Sequence, residues 1–266
     1  MVIKTEKPML CFDVDGTLRD NVHHQVSAST QKALHLLKEA GYKIIISSGR
    51  GIDSLERTGL MDMLDWDGFV CNNGQVVLNH ERQEIFHTQF SSEAIVKTLE
   101  IAKTLNYAVA LKSQPRVISK EPDEYVLESQ RFFKSILPEV GEYHGQEVSA
   151  MIVYGPKGYD YAPFLGIKGV TVLPGESTYA DLTIEGVTKA TGIQKLMSLY
   201  EIDEYIAFGD SLNDMDMFKA ADFSVAMGQG NEKLKKMASY VTSSIDDDGI
   251  YHACVHLGLI PKDSSM

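Results

Sequence analysis

The sequence predicts an α/β protein: a parallel sheet with helices on both faces, interrupted by an inserted α+β domain. Three observations lead there. Short apolar runs alternate with stretches of helical periodicity at both ends of the chain. Asp13, Asp15, Ser48 and Asp210 sit where such runs end. Between residues 80 and 184 the alternation gives way to short strand-like runs around two helices.

Met9-Leu10-Cys11-Phe12 reads as a buried strand, and Asp13-Val14-Asp15-Gly16-Thr17-Leu18 follows it. Ala33, Leu36, Leu37 and Ala40 share a helical face, which Gly41 ends. The Ile44–Ile46 strand, a helical stretch through Leu60 to Leu64 and the strand Gly68–Cys71 come next. Asn72-Asn73-Gly74 is a turn signal, followed by strand-like runs at Gln75–Asn79 and Glu84–Gln89. One inserted helix presents Ile95, Leu99 and Ala102, and a second presents Tyr125, Phe132 and Ile136 before Pro138. Tyr107–Lys112 and Arg116–Ser119 flank the Gln114-Pro115 turn, and Val148–Tyr154 and Gly169–Leu173 read as further strands. The first pattern resumes with a helix opening at Lys189, striped by Ile193, Leu196, Met197 and Tyr200, and the strand Tyr205–Phe208. The expected domains are therefore 1–79 with 185–266 as a discontinuous core, and 80–184 as the insertion. In an open sheet of this kind, ligands bind beyond the carboxyl ends of the strands, so the dispersed motifs share one crevice.

Composition narrows the function. The chain has 266 residues, of which 44% are hydrophobic, enough for a full globular core. A formal net charge of −12 argues against nucleic acid or an anionic membrane as a partner. Residues 1–8 contain no apolar secretory core and no run reaches membrane-spanning length, so a cytoplasmic protein is expected. Three cysteines, Cys11, Cys71 and Cys254, include no CxxC pair and indicate neither a disulfide framework nor zinc.

Two carboxylates two residues apart at a strand end are costly to bury without partners. They suit a divalent cation such as Mg²⁺, which takes carboxylate and backbone oxygens and leaves positions for water and phosphate. Lys43-Ile44-Ile45-Ile46-Ser47-Ser48-Gly49-Arg50 ends a second strand in a hydroxyl and a glycine. Gly186-Val187-Thr188-Lys189 places a lysine at a helix start, and Gly209-Asp210-Ser211-Leu212-Asn213-Asp214 follows a third apolar run. These four motifs, in this order, resemble the haloacid dehalogenase (HAD) superfamily, and within it the Cof-type phosphatases (class IIB). The resemblance runs nearly end to end. It implies a Rossmann-like core, a C2B cap inserted after the third strand, a Mg²⁺ cofactor and a small phosphorylated metabolite as substrate, above all a sugar phosphate. It also implies that the cap supplies specificity while the core supplies chemistry.

Phosphate monoesters repel an approaching nucleophile, so catalysis needs positive charge around the phosphoryl group and an aligned attacker. Asp13 is the expected nucleophile, and Asp15 the acid toward the leaving oxygen and then the base for water. The resemblance adds the Asp15 backbone carbonyl as a metal ligand and selects Ser48, over Ser47, as the phosphate donor. Gly49 lets the backbone approach the phosphate, and Lys189 neutralises Asp13 and the phosphoryl oxygens. Asp210 completes the metal shell, Asp214 acts there through water or as support, and Asn213 orients substrate, water or Lys189.

Other candidates are read as ordinary structure. His23-His24 is a solvated loop pair, and His252 and His256 lack the glutamate of a zinc helix. Asp216 is a surface acid, Asp246-Asp247-Asp248-Gly249 a flanking loop, and Gly228 and Gly230 lack a dinucleotide fingerprint. Lys112, Arg116 and Lys120 are cap cations with either a substrate-facing or a solubilising role. Two alternatives accompany the phosphatase reading: a phosphotransferase or mutase using the same intermediate, and a non-catalytic phosphometabolite-binding protein. No obligate protein partner is indicated.

Overall fold

The computed structural model describes residues 7–262; residues 1–6, read above for a targeting signal, lie outside the described residues. Along the chain, β1 (Met9–Phe12), β2 (Ile44–Ser47), β3 (Gly68–Cys71), β4 (Val76–Asn79) and β5 (Glu84–His87) build part of one sheet. A second sheet takes β6 (Val109–Lys112), β7 (Val117–Ile118), β8 (Glu139–Val140), β9 (Ala150–Tyr154), β10 (Val170–Pro174) and β11 (Tyr179–Ile184). The chain then returns to the first sheet with β12 (Tyr205–Gly209), β13 (Phe223–Ala226) and β14 (Tyr240–Val241).

The first sheet has the order β14-β13-β12-β1-β2-β3-β4-β5. Its six strands from β14 to β3 are parallel, and β1 lies between β12 and β2 with all four residues buried. Burial on both faces explains why these strands read as continuous apolar runs. β4 departs from the expected parallel sheet and runs antiparallel to β3. The physical reason is the connection: residues 72–75 are too few for a crossover and can only turn the chain back. Residues 84–87, which lie beyond the expected boundary at 79, form the edge strand β5 of this sheet.

The helices of the first sheet's unit include α1 (Ala28–Glu39), α2 (Ile52–Glu56) and α3 (Leu60–Met63). The insertion holds α4 (Ser92–Thr104) and α5 (Glu124–Phe133). The first unit then continues with α6 (Lys189–Tyr200), α7 (Met215–Ala220), α8 (Glu232–Met237) and α9 (Gly249–His256). α1 packs against α9, and α6 against β3 and β4. Phe12 stacks on Phe208 across β1 and β12, with ring centroids 4.5 Å apart, at the centre of a large apolar core.

The described residues divide into two compact units, one up to Ile85 and from Thr188 onward, the other Phe86–Val187. In the second unit the sheet order is β10-β11-β9-β6-β7-β8, antiparallel except between β7 and β8. Ile95, Ala102, Leu111, Met151, Val153, Phe164 and Leu182 lie in its core. Ile136 was expected on the inner face of the second helix and is instead exposed. α5 ends at Phe133, where Lys134 turns left-handed, so Ile136 never joins the helical face. β11 is absent from the sequence reading and lies between β9 and β10. Among the described residues no helix is long and apolar enough to cross a membrane.

Candidate active site

The site lies in the first unit, beyond the carboxyl ends of β1, β2 and β12. The loop after β1 closes on itself: the Leu18 and Arg19 amides donate to the carbonyls of Asp13 and Val14, and the Gly16 amide to that of Arg19. Gly16 is required there twice over. Its φ of +88° is left-handed, and a Cβ would sit 2.1 Å from Asp210 Oδ2. The bare glycine lets the β1 loop press against the carboxylate that follows β12. Thr17 Oγ1 adds a donation to Asp210 Oδ1 at 3.3 Å.

Lys189 is the first residue of α6, behind the N-cap Thr188, whose capping box with Thr191 fixes the helix start. A cation at a helix N-terminus is disfavoured by the dipole, so it needs local anions. Two are present. Lys189 Nζ donates to Asp13 Oδ1 at 2.5 Å and to Asp214 Oδ1 at 2.7 Å, and all three side chains are buried. The seat of α6 is set by Gly74, at φ +102°, where a Cβ would lie 2.0 Å from the Thr188 carbonyl oxygen. The Asn72-Asn73-Gly74 turn thus both reverses the chain into β4 and gives the lysine helix its place.

Asp214 also accepts the backbone amides of Asp210 and Ser211 on Oδ2, each at 3.0 Å. With its other oxygen on Lys189, it braces the β12 loop and the ammonium together. Asp13, Asp210 and Asp214 each place a carboxylate oxygen within 4.8 Å of the others. Three buried carboxylates against one ammonium leave local negative charge, and an all-oxygen donor set is what a hard divalent cation takes. The residues present therefore fit such an ion. Burial pushes the Asp13 carboxyl up to about 7, helped by Asp214 and opposed by Lys189. Burial alone would lower the Lys189 pKa; the Asp13 and Asp214 carboxylates outweigh it and hold the ammonium well above its usual range.

Ser48 is buried at the end of β2, its amide bonded to the Val70 carbonyl and its Oγ accepting the Arg50 amide at 3.1 Å. Gly49 follows it, half-buried. Asn213 Nδ2 donates to Asn73 Oδ1 at 3.1 Å, and Asn213 Oδ1 accepts from Ser211 Oγ at 2.6 Å. Asp15 makes no hydrogen bond to Lys189 and pairs instead with arginines. Its carboxylate takes Arg50 Nε at 2.6 Å and Nη2 at 2.8 Å, a bidentate fork, and Arg19 Nη1 at 3.2 Å.

Sequence reasoning missed these two arginines, and it missed Asn73 and Gln229. Arg50 stood inside the Ser-Gly-Arg motif, a signal that was available. Arg19 had none, because its contact depends on how the loop after β1 closes. Gln229 Nε2 donates to the Gly16 carbonyl at 2.6 Å and its Oε1 accepts the Ile245 amide at 2.9 Å. Of the remaining candidates, Asp216 is exposed and pairs with Lys219. His252 is exposed and bonds Ser243, and the His256 ring stacks on Tyr240. Asp248 bonds the Ser29 hydroxyl, and Lys120 holds Asn106 and Asp123.

A family model for haloacid dehalogenase-like hydrolases matches residues 10–254. The chain belongs to that family. YkrA of Bacillus subtilis is 28% identical over 260 residues, covering 96% of this chain and 99% of YkrA. The solved structure of BT1666, a phosphatase of the superfamily from Bacteroides thetaiotaomicron, is similar with a TM-score of 0.86 and 27% identity. That match covers 98% of this chain and 99% of BT1666. BT4131, a subclass IIB sugar phosphatase, aligns with a TM-score of 0.86 and 28% identity, over 96% of this chain and all of BT4131. The chain is accordingly an enzyme, a HAD-type phosphatase.

Proposed function

We propose that the protein is a Mg²⁺-dependent phosphatase of small phosphorylated metabolites, sugar phosphates foremost, working through an aspartyl-phosphate. One observation carries this reading: Lys189 is held between Asp13 and Asp214, with Asp210 beside them. That arrangement aligns a carboxylate nucleophile and surrounds it with charge suited to a phosphoryl dianion. The likeness to the sugar phosphatase BT4131 supports the substrate class. Residues 86–187 are, in this reading, the C2B-type cap.

Asp13 attacks phosphorus and forms an O–P bond while the bond to the leaving oxygen breaks. Asp15, protonated at the start of this step, gives that oxygen its proton and is left as the carboxylate. Water then attacks the aspartyl-phosphate, Asp15 takes the water's proton, and phosphate departs as Asp13 is regenerated. Lys189 neutralises Asp13 and the phosphoryl oxygens together, so attack does not meet full repulsion. Ser48 donates its hydroxyl to a phosphoryl oxygen, Gly49 lets the backbone approach, and Asn213 orients the group. Asp13, the Asp15 carbonyl and Asp210 would hold Mg²⁺, with Asp214 supporting through water. The ion supplies positive charge to the phosphoryl oxygens.

Phosphate release from a panel of phosphorylated metabolites, with Mg²⁺ and with EDTA, tests this reading. Mg²⁺-dependent release that falls by about 10³-fold or more in Asp13→Asn is the expected result. Release that survives EDTA or the substitution would refute it.

A further inference from the structure

Asp15 meets more positive charge than a single acid needs. Arg50 grips both of its oxygens, and Arg19 adds a third donation, to Oδ1. Both guanidiniums are almost buried, with side-chain exposures of 9% for Arg50 and 10% for Arg19. Each is anchored elsewhere: Arg50 Nη1 donates to Ser54 Oγ at 3.0 Å, and Arg19 Nε to the His24 carbonyl at 3.1 Å. The Arg19 backbone is also pinned, its amide on Val14 and its carbonyl on Gly16. The other acid near Arg19 is Asp20. Its carboxylate forms no ion pair with Arg19 among the described residues; it accepts the backbone amides of Val22, His23 and Gln25.

Arg50 alone satisfies Asp15 in the strongest geometry available to a carboxylate. A second desolvated, immobilised guanidinium is therefore costly unless another anion uses it. Its place indicates which anion. An acid that protonates the leaving oxygen must stand within hydrogen-bond reach of it. A guanidinium hydrogen-bonded to that acid then lies next to the first atoms of the leaving group. Arg19 keeps Nη2 without a partner among the described residues, since only Nε and Nη1 donate.

We propose that Arg19 is a specificity-determining residue that selects substrates whose leaving group carries a carboxylate close to the ester oxygen, the phosphate monoesters of hydroxy acids and sugar acids. The assignment rests on the phosphatase reading and on Asp15 as its acid, and it narrows the substrate class. Over a neutral counterpart, a charge-assisted hydrogen bond to such a carboxylate is worth at least about tenfold in kcat/KM.

The test compares 2-phosphoglycerate with glycerol 2-phosphate, which differ by a carboxylate against a hydroxymethyl group, and uses p-nitrophenyl phosphate as a general ester. Wild-type protein with Mg²⁺ should prefer 2-phosphoglycerate by about tenfold or more, mostly through KM. Arg19→Gln should bring the ratio near one, and Arg19→Lys should restore part of it. A wild-type ratio of one or less overturns the assignment without any variant. So does a ratio unchanged in a folded Arg19→Gln, judged by its melting curve. Turnover of p-nitrophenyl phosphate with neither three-carbon ester hydrolysed overturns the assignment but leaves the phosphatase reading standing. No turnover of any of the three overturns the assignment, and overturns the phosphatase reading as well when the sugar phosphates of the panel are not hydrolysed either.

Discussion

The two units of this chain differ in whether they bury charge. In the unit built on the first sheet, Asp13, Arg19, Asp67, Lys189, Asp210 and Asp214 are all buried. In the unit Phe86–Val187 the buried polar residues are neutral, among them Thr98, Ser113, Ser129, Gln130, Ser177, Thr178 and Thr183. Neutral groups need only one or two hydrogen bonds, local as when Thr98 Oγ1 donates to the Ala94 carbonyl one helical turn back, or distant as when Thr178 Oγ1 donates to the Tyr125 carbonyl. Buried charges need partners of opposite sign brought from distant parts of the chain. Asp67 shows the structural version, taking Lys38, Lys43 and the Ile44 amide to tie β2 to β3. In the proposed function, the Asp13, Lys189, Asp210 and Asp214 set is the version that would hold a cation, with three carboxylates gathered around one ammonium. Under that reading the difference from Asp67 is an excess of carboxylates, not burial.

The sharpest way to break this contrast is Lys189→Met. Removing the ammonium leaves Asp13 and Asp214 buried side by side, so phosphate release should fall by at least about 10³-fold, with stability lower by about 3–5 kcal/mol. Denaturant melts and phosphate-release assays check both. A variant that kept its activity would show that the cluster's neutralisation is not functional.

Gly16→Ala should come next in size. Its methyl group would fall on the Asp210 carboxylate, in a backbone conformation that disfavours alanine. Mg²⁺ affinity and turnover should drop by about 10–100-fold, measured by isothermal titration and by initial rates. Unchanged Mg²⁺ affinity would remove Asp210 from the cation site.

The same contrast predicts a pH dependence confined to the first unit. Asp13 is raised from an ordinary 3.8 to about 7 by burial. A raised acid contributes stability that is fully present below its unfolded value and is lost as pH rises through its folded value. In EDTA, the melting temperature of the wild type should therefore fall relative to Asp13→Asn from about pH 4 to about pH 7, then level off. Mg²⁺ should raise the wild-type melting temperature most above that window. A difference that is flat with pH would place the unbalanced charge elsewhere.

The smallest effect is expected in the second unit. Thr98→Val replaces a buried hydroxyl whose only donation is local, and should cost about 1 kcal/mol without altering turnover of p-nitrophenyl phosphate. A large loss of activity would mean that neutral buried groups in Phe86–Val187 bear on the chemistry, and the contrast would fail.

Much of this was legible in the residues. β1, β2, β3 and β12 were readable as apolar runs because strands buried on both faces need no alternation. Asp13, Ser48 and Asp210 stood at their ends, where an open sheet presents its ligands. The start of α6 was readable from the Gly-Val-Thr-Lys pattern and the apolar stripe behind Lys189; its cap at Thr188 was not. The insertion was less legible: β11 escaped notice, and α5 was drawn one turn too long, through Ile136. Short antiparallel strands and helix ends depend on their neighbours more than on their own periodicity.

The sequence by itself determined which residue types stand at the strand ends, because local periodicity and turn chemistry act over a few residues. Only the tertiary structure decided which of them meet. Lys189 reaches Asp13 across 176 positions and Asp214 across 25. Arg50 joins Asp15 from the loop after β2, and Arg19 from a loop that must first close. Gly16 and Gly74 admit the close contacts with Asp210 and Thr188 that seat the lysine cluster, a steric fact about packed segments that no single stretch of residues contains.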